Sequence, residues 1–141
     1  MKKEEIAELF TALREGIISD LSRDGSTIRF KIQLPQLASA DNPDFSFFFA
    51  VLLDCQDFFL QPFRNESTVI NDLKQVERLA PEIHEATVDG NRVKVFCAHK
   101  GVSTGARISV RCDRLEVYNE SFDAMSAAYL AELRLRKKKD S

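Results

Sequence analysis

Apolar residues recur along this chain at two different periods, and the switches between them mark out its elements. Ile6, Leu9, Phe10 and Leu13 fall at helical spacing with Gly16 just beyond, which predicts a first helix. Ile17 to Leu21 and Ile28 to Leu34 then flank Arg23-Asp24-Gly25. In the second run Ile28, Phe30, Ile32 and Leu34 alternate with Arg29, Lys31 and Gln33, the signature of a half-buried hairpin with one wet face. Pro35 ends that strand and opens an insertion, in which Ser39-Ala40-Asp41-Asn42-Pro43-Asp44 reads as loop. From Phe45 to Leu53 every residue but Ser46 is apolar, which predicts a central strand buried on both faces, paired through a turn at residues 54–57 with Phe58 to Phe63. Asn42-Pro43-Asp44 would equally open a helix over residues 45–53, and periodicity does not separate the two.

Ser67 is placed to cap a helix carrying Val69, Leu73, Val76 and Ala80, stopped by Pro81. Ile83 to Thr87 and Arg92 to His99 flank a second Asp-Gly pair, Asp89-Gly90, and residues 100–105 read as a small polar loop. Ile108, Val110 and Cys112 alternate in one phase and Leu115 and Val117 in the other, so a bulge or tight turn is expected at Asp113-Arg114. Phe122, Met125, Tyr129 and Leu133 predict a C-terminal helix leading into a basic tail over residues 134–141.

The two halves echo each other. A shift of 65 lays Ile18, Asp24, Gly25, Ile28, Arg29 and Phe30 on Ile83, Asp89, Gly90, Val93, Lys94 and Val95, and a shift of 54 lays Asn65-Glu66-Ser67 on Asn119-Glu120-Ser121. The 11-residue difference matches the stretch from Pro35 to Phe45. The expected fold is therefore α+β: a mostly antiparallel sheet of seven or eight strands with about three helices. It would be one domain over residues 1–141, assembled from two degenerate ββ…α repeats at 16–80 and 82–135. A chain of 141 residues can bury roughly 68–70% of its unfolded surface, enough for two such units to share a core.

Charge narrows the function classes. A net charge of −2 leaves no overall positive field to draw the chain to a phosphate backbone, so no nucleic-acid partner is expected. No segment approaches the roughly 20 apolar residues of a membrane span, and the charged N-terminus does not read as a secretory leader. Three cysteines without close pairing fit a reducing compartment, so the cytoplasm is expected, and the glycosylation match of both Asn-Glu-Ser triplets carries no weight there.

Candidate chemistry is sparse. Cys97, His99 and Cys112 offer three soft ligands on adjacent predicted strands and could hold zinc, or less readily a Cys-His nucleophile pair, but C-x-x-C and paired-histidine spacings are absent. Burial of the two cysteines in apolar stripes is the simpler reading, and no cofactor is expected. Asp54 with Asp57 and Asp20 with Asp24 could do acid/base work, although aspartate in turns explains them. Nucleotide-binding, nucleophile-elbow and metalloprotease motifs do not occur. Seven of the 11 phenylalanines crowd residues 45–63, where core packing accounts for most and an exposed partner-binding patch for any that the sheet leaves uncovered.

Pro35-Gln36-Leu37-Ala38, Leu60-Gln61-Pro62-Phe63, Ile70-Asn71-Asp72-Leu73 and Leu115-Glu116-Val117-Tyr118-Asn119-Glu120-Ser121 resemble stretches of small bacterial proteins of immunity-protein type associated with polymorphic toxins. The resemblance implies a non-catalytic partner of another protein and assigns no site residue. Three functions follow as expectations: a protein-binding module of immunity type, a secretion-chaperone-like or regulatory homodimer using the phenylalanine-rich segment, and a small metal protein or enzyme using Cys97, His99 and Cys112.

Overall fold

Both Asp-Gly pairs form hairpin bends, with Gly25 at φ +61° and Gly90 at φ +64° in the left-handed region that glycine enters without Cβ strain. The computed structural model describes the backbone of residues 1–65, 67–99 and 102–139, and the side chains of those residues except at 99, 102–104 and 139. In chain order the elements are α1 (Lys3–Ala12), β1 (Ile17–Asp24), β2 (Thr27–Gln33), α2 (Pro35–Asp41), β3 (Phe47–Leu53), β4 (Asp57–Pro62), α3 (Leu73–Arg78), β5 (Glu82–Asp89), β6 (Arg92–His99), β7 (Val102–Arg111), β8 (Arg114–Tyr118) and α4 (Ala127–Lys139). The strands form one antiparallel sheet in the order β4-β7-β6-β5-β1-β2-β3-β8, and Ile28 and Val93 lie in it together. The α+β expectation holds, with four helices among the described residues rather than three.

Two long bent strands organise the sheet. β3 runs into β4 across residues 54–56, and β7 into β8 across residues 112–113. Phe49 pairs Tyr118 and Leu53 pairs Arg114 on one side of the bends, while Asp57 pairs Arg111 and Pro62 pairs Ala106 on the other. Three residues thus oppose two, a bulge that turns both strands together. β3 and β4 do not pair with each other, which corrects the expected hairpin: each finds its partner in the second half of the chain. The phase change at Asp113-Arg114 is the other side of the same bend.

Buried positions line the inner face, where Ile28, Phe30, Ile32, Phe48, Ala50, Leu52, Val93, Val95 and Ile108 pack under Ile6, Phe10 and Leu13 of α1 and Leu130 and Leu133 of α4. α1 touches β5, β6 and β8 from within the curve of the sheet. The β1–β5 seam is short, a single register pair at Ile17 and Glu82 reinforced by Ile18 N–H donating to the Pro81 carbonyl (3.0 Å) and Ile83 N–H to that of Gly16 (2.9 Å). Each of these strands carries a register shift, between Ser19 and Ser22 and between Ile83 and Glu85. A helix answers the backbone near each: Leu21 N–H donates to Glu77 Oε1 (2.8 Å), and Ala86 N–H to Thr11 Oγ1 (3.0 Å).

Several local expectations change. The insertion opened by Pro35, with its loop expected from Ser39, instead starts with α2 over Pro35–Asp41, because Pro35 suits a first helical position while Leu37 and Ala38 supply a buried face. Asn42, extended at φ −149°, is the C-cap of α2 rather than the N-cap of a following helix, and residues 47–53 form β3, so the helical alternative for residues 45–53 does not form. β3 is buried on one face only: Phe48, Ala50 and Leu52 point inward while Phe47, Phe49, Val51 and Leu53 stay half-buried. α3 is capped by Asp72, whose Oδ1 accepts from Lys74 N–H (2.9 Å), not by Ser67; Ile70 instead bridges to Leu60. Phe122 precedes α4 instead of lying in it, and of the residues 100–105 read as loop, 102–105 belong to β7. Lys100, Gly101, Asp140 and Ser141 lie outside the described residues. Arg134 of the basic tail folds back onto the Ala12 and Arg14 carbonyls and pairs Glu15 at 3.1 Å, so the tail is anchored there and not simply solvated.

Candidate functional site

The helices pack on the inner face of the sheet, and the side chains on the opposite face form its surface. On β3 that outer row is Phe47, Phe49, Val51 and Leu53, next to Arg29 and Lys31 of β2 on one side and Tyr118, Glu116 and Arg114 of β8 on the other. Phe47 and Phe49 meet edge to face, with centroids 5.1 Å apart and planes at 87°. The Lys31 ammonium lies 4.6 Å from the Phe47 centroid and 3.3 Å from Asp20 Oδ2, a cation held over an aromatic face.

Phe122 completes the patch. It stacks on Phe49 with centroids 4.9 Å apart and planes 6° from parallel, yet remains 69% exposed and sits at φ +62°. A bulky non-glycine residue in the left-handed region costs roughly 1–2 kcal/mol, and such strain concentrates at sites where position matters. A dense polar network holds the loop around it. Asn119 is 4% exposed, and its Oδ1 accepts from Ser121 N–H and Asp123 N–H, each at 2.9 Å. Its Nδ2 donates to Asp41 Oδ2 (2.8 Å), and Tyr129 donates its hydroxyl to Asp41 Oδ1 (2.6 Å), a bond that pushes the tyrosine pKa up. Glu120 Oε2 receives Ser46 N–H at 2.6 Å, tying the loop to the start of β3. The aromatic ring is thus presented from a fixed frame.

Both ends of the strand order are partly covered by chain. Ile70 exchanges hydrogen bonds with Leu60 beside β4 (both 2.8 Å), and Met125 N–H donates to the Val117 carbonyl beside β8 (2.8 Å). Such covered edges blunt strand addition.

A second feature of the outer face lies on β6, β7 and β4. Asp57 Oδ2 bonds Arg92 at 2.9 Å and lies 3.3 Å from Arg111 Nε, while Lys94 donates to Ser109 Oγ (2.9 Å) with Arg107 nearby. Burial, then the Arg107 charge, pulls the Lys94 pKa down. Asp57, expected as a turn residue, therefore neutralises two arginines on paired strands. Asp54 takes the turn role at φ +51°, and Asp20 at φ +52° reaches Lys31, so the two aspartate pairs do not form acid/base couples.

Cys97 pairs with Ala106, whereas Cys112 lies six residues further along the chain, just past the end of β7, a separation of about 20 Å at the rise of a strand. His99 pairs in the backbone with Val102, but its side chain lies outside the described residues. Cys112 is brought instead toward Cys55, at the paired bends. Burial pushes the thiols up to about 11 for Cys55 and about 12 for Cys97 and Cys112, opposite to the depressed value of a nucleophilic cysteine. Among the described residues no group of three or more His, Cys, Asp or Glu side chains is placed to hold a metal ion.

Comparison with protein-family models, curated proteins and solved structures finds no match for this chain. No helix among the described residues is long and apolar enough to cross a membrane. Sequence periodicity missed Phe122 as a surface residue because Met125, Tyr129 and Leu133 extend its helical register. The turn-forming run Asn119-Glu120-Ser121 just before it carried the opposite signal.

Proposed function

We propose that this chain is a non-catalytic protein-binding module that engages a partner protein through Phe47, Phe49 and Phe122. The observation that carries this reading is Phe122: an exposed aromatic ring in a strained backbone conformation, stacked on a second ring and fixed by a buried asparagine network. Rigid aromatic anchors surrounded by polar groups are what interface hot spots consist of, and preorganisation lowers the entropy lost on docking. Lys31 and Arg29 beside the rings favour a partner segment with an apolar side chain flanked by a carboxylate. The immunity-type role implied by the resemblance is the form of binding we carry forward, with a toxin domain as the partner.

Affinity purification from the cell of origin tests this with paired baits. A protein captured in stoichiometric amount by the wild-type chain and lost by Phe122→Ser, while that variant still melts cooperatively as a folded chain, is the expected result. A captured protein equally retained by Phe122→Ser and Phe49→Ala would remove the assignment of this face.

A further inference from the structure

On the helical side of the sheet, away from the aromatic face, α1, α4 and β5 enclose an open groove of about 620 Å³. Ala7, Ala86, Ala127 and Ala131 make it shallow-walled and apolar, and Leu135 stands at its lip, 62% exposed. α1 and α4 run side by side in the same direction. Arg134 bonds the Ala12 carbonyl near the end of α1, and Ala127 shares a second hollow with Glu5 and Glu8 near its start. The rim is consequently polar in a directional sense: Glu4 and Glu8 flank one end and Arg14 the other.

We infer that this groove is a homodimer interface, occupied by the same groove of a second copy in antiparallel orientation. Two features of the groove select that occupant. First, the patch carries both a knob, Leu135, and alanine-lined holes, and a two-fold interface requires such self-complementarity because each surface meets itself. Second, rotating the groove by half a turn sets Glu4 and Glu8 of one copy against Arg14 of the other at both ends, so the charge gradient that would repel a parallel copy attracts an antiparallel one. A small polar ligand has little to hold it: the Arg134 guanidinium is already engaged by the Ala12 and Arg14 carbonyls and by Glu15. The inference stands independently of the partner reading above, and a dimer built this way leaves both aromatic faces uncovered for bivalent binding.

Sedimentation equilibrium of the full chain over a dilution series tests the proposal. The wild type is expected to dimerise. Leu135→Glu should raise the dimer dissociation constant by at least about tenfold while leaving the thermal melt of the subunit unchanged, since Leu135 is mostly exposed. Glu8→Arg and Arg14→Glu should each weaken the dimer, and the double swap Glu8→Arg/Arg14→Glu should restore it. A wild type that stays monomeric throughout, a dimer indifferent to Leu135→Glu, or a double swap no better than either single one would each overturn the inference.

Discussion

Phe122 lies flat on Phe49, with ring centroids 4.9 Å apart and planes 6° from parallel, although its own backbone is left-handed. The stack and the backbone oppose each other energetically. An aromatic pair contributes about 0.5–1.5 kcal/mol beyond its buried area, and left-handed backbone at a side chain with a Cβ costs about 1–2 kcal/mol.

That opposition orders two variants in an unusual way. Phe122→Ala loses the stack and keeps the strain, whereas Phe122→Gly loses the stack and relieves it. Chemical denaturation is expected to find Phe122→Gly more stable than Phe122→Ala by about 1 kcal/mol. Equal stabilities, or the reverse order, would mean that this backbone is not held left-handed in solution.

Asn119 is the keystone of the loop, and its replacements should grade by charge. Asn119→Ala strips acceptors from the Ser121 and Asp123 amides and the amide donor from Asp41, a loss of about 2–4 kcal/mol for groups largely removed from water. Asn119→Asp keeps the acceptor but sets a third carboxylate beside Asp41 (2.8 Å) and Asp123 (3.4 Å). Its penalty should shrink as pH falls through the carboxylate range, which thermal melts between neutral and mildly acidic pH can read. A pH-independent penalty would contradict the network.

Alkaline pH should expose the buried thiols. Cys97 is held at about 12 against an ordinary value near 9, first by burial and then by Glu82. The folded chain therefore keeps a proton that the unfolded chain releases above about pH 9, and stability must fall as pH rises. The fall approaches about 1.4 kcal/mol per pH unit from this group, complete only once pH has passed the folded value. Below pH 9 both states are protonated and the effect vanishes. Cys97→Ala should make the alkaline decline measurably shallower in denaturant titrations; Cys55 and Cys112, raised for the same reason, add to that decline.

The inner face was legible because alternation is a local signal. Ile28, Phe30 and Ile32 declare their strand without reference to any partner, and Asp24-Gly25 and Asp89-Gly90 declare their turns. Pairing is not local. Phe49 finds Tyr118 across 69 positions, and nothing between Phe45 and Phe63 distinguishes that arrangement from a hairpin of β3 with β4, since the bend at residues 54–56 uses the same polar turn residues a hairpin would. The aromatic face was half legible. The crowding of phenylalanines was visible, but which of them face outward depends on β3 having helices on one side only, and Phe122 was masked by a helical register that continues past the true helix start at Ala127. The two cysteines are apart for a related reason: strand neighbours in sequence order need not share a level along the strands, and Cys97 pairs Ala106 within the β6–β7 ladder whereas Cys112 lies past the end of β7.

Site-specific photo-cross-linking in living cells tests partner binding at this face most directly. A photoreactive phenylalanine analogue placed at position 122, with Asp24 in the exposed β1–β2 bend as the control position, reports what touches the ring whatever the identity of the partner. A discrete adduct with one other protein from position 122, absent from position 24, is the expected result. No adduct at 122, the same diffuse products at both positions, or an adduct only between two copies of this chain would contradict the account.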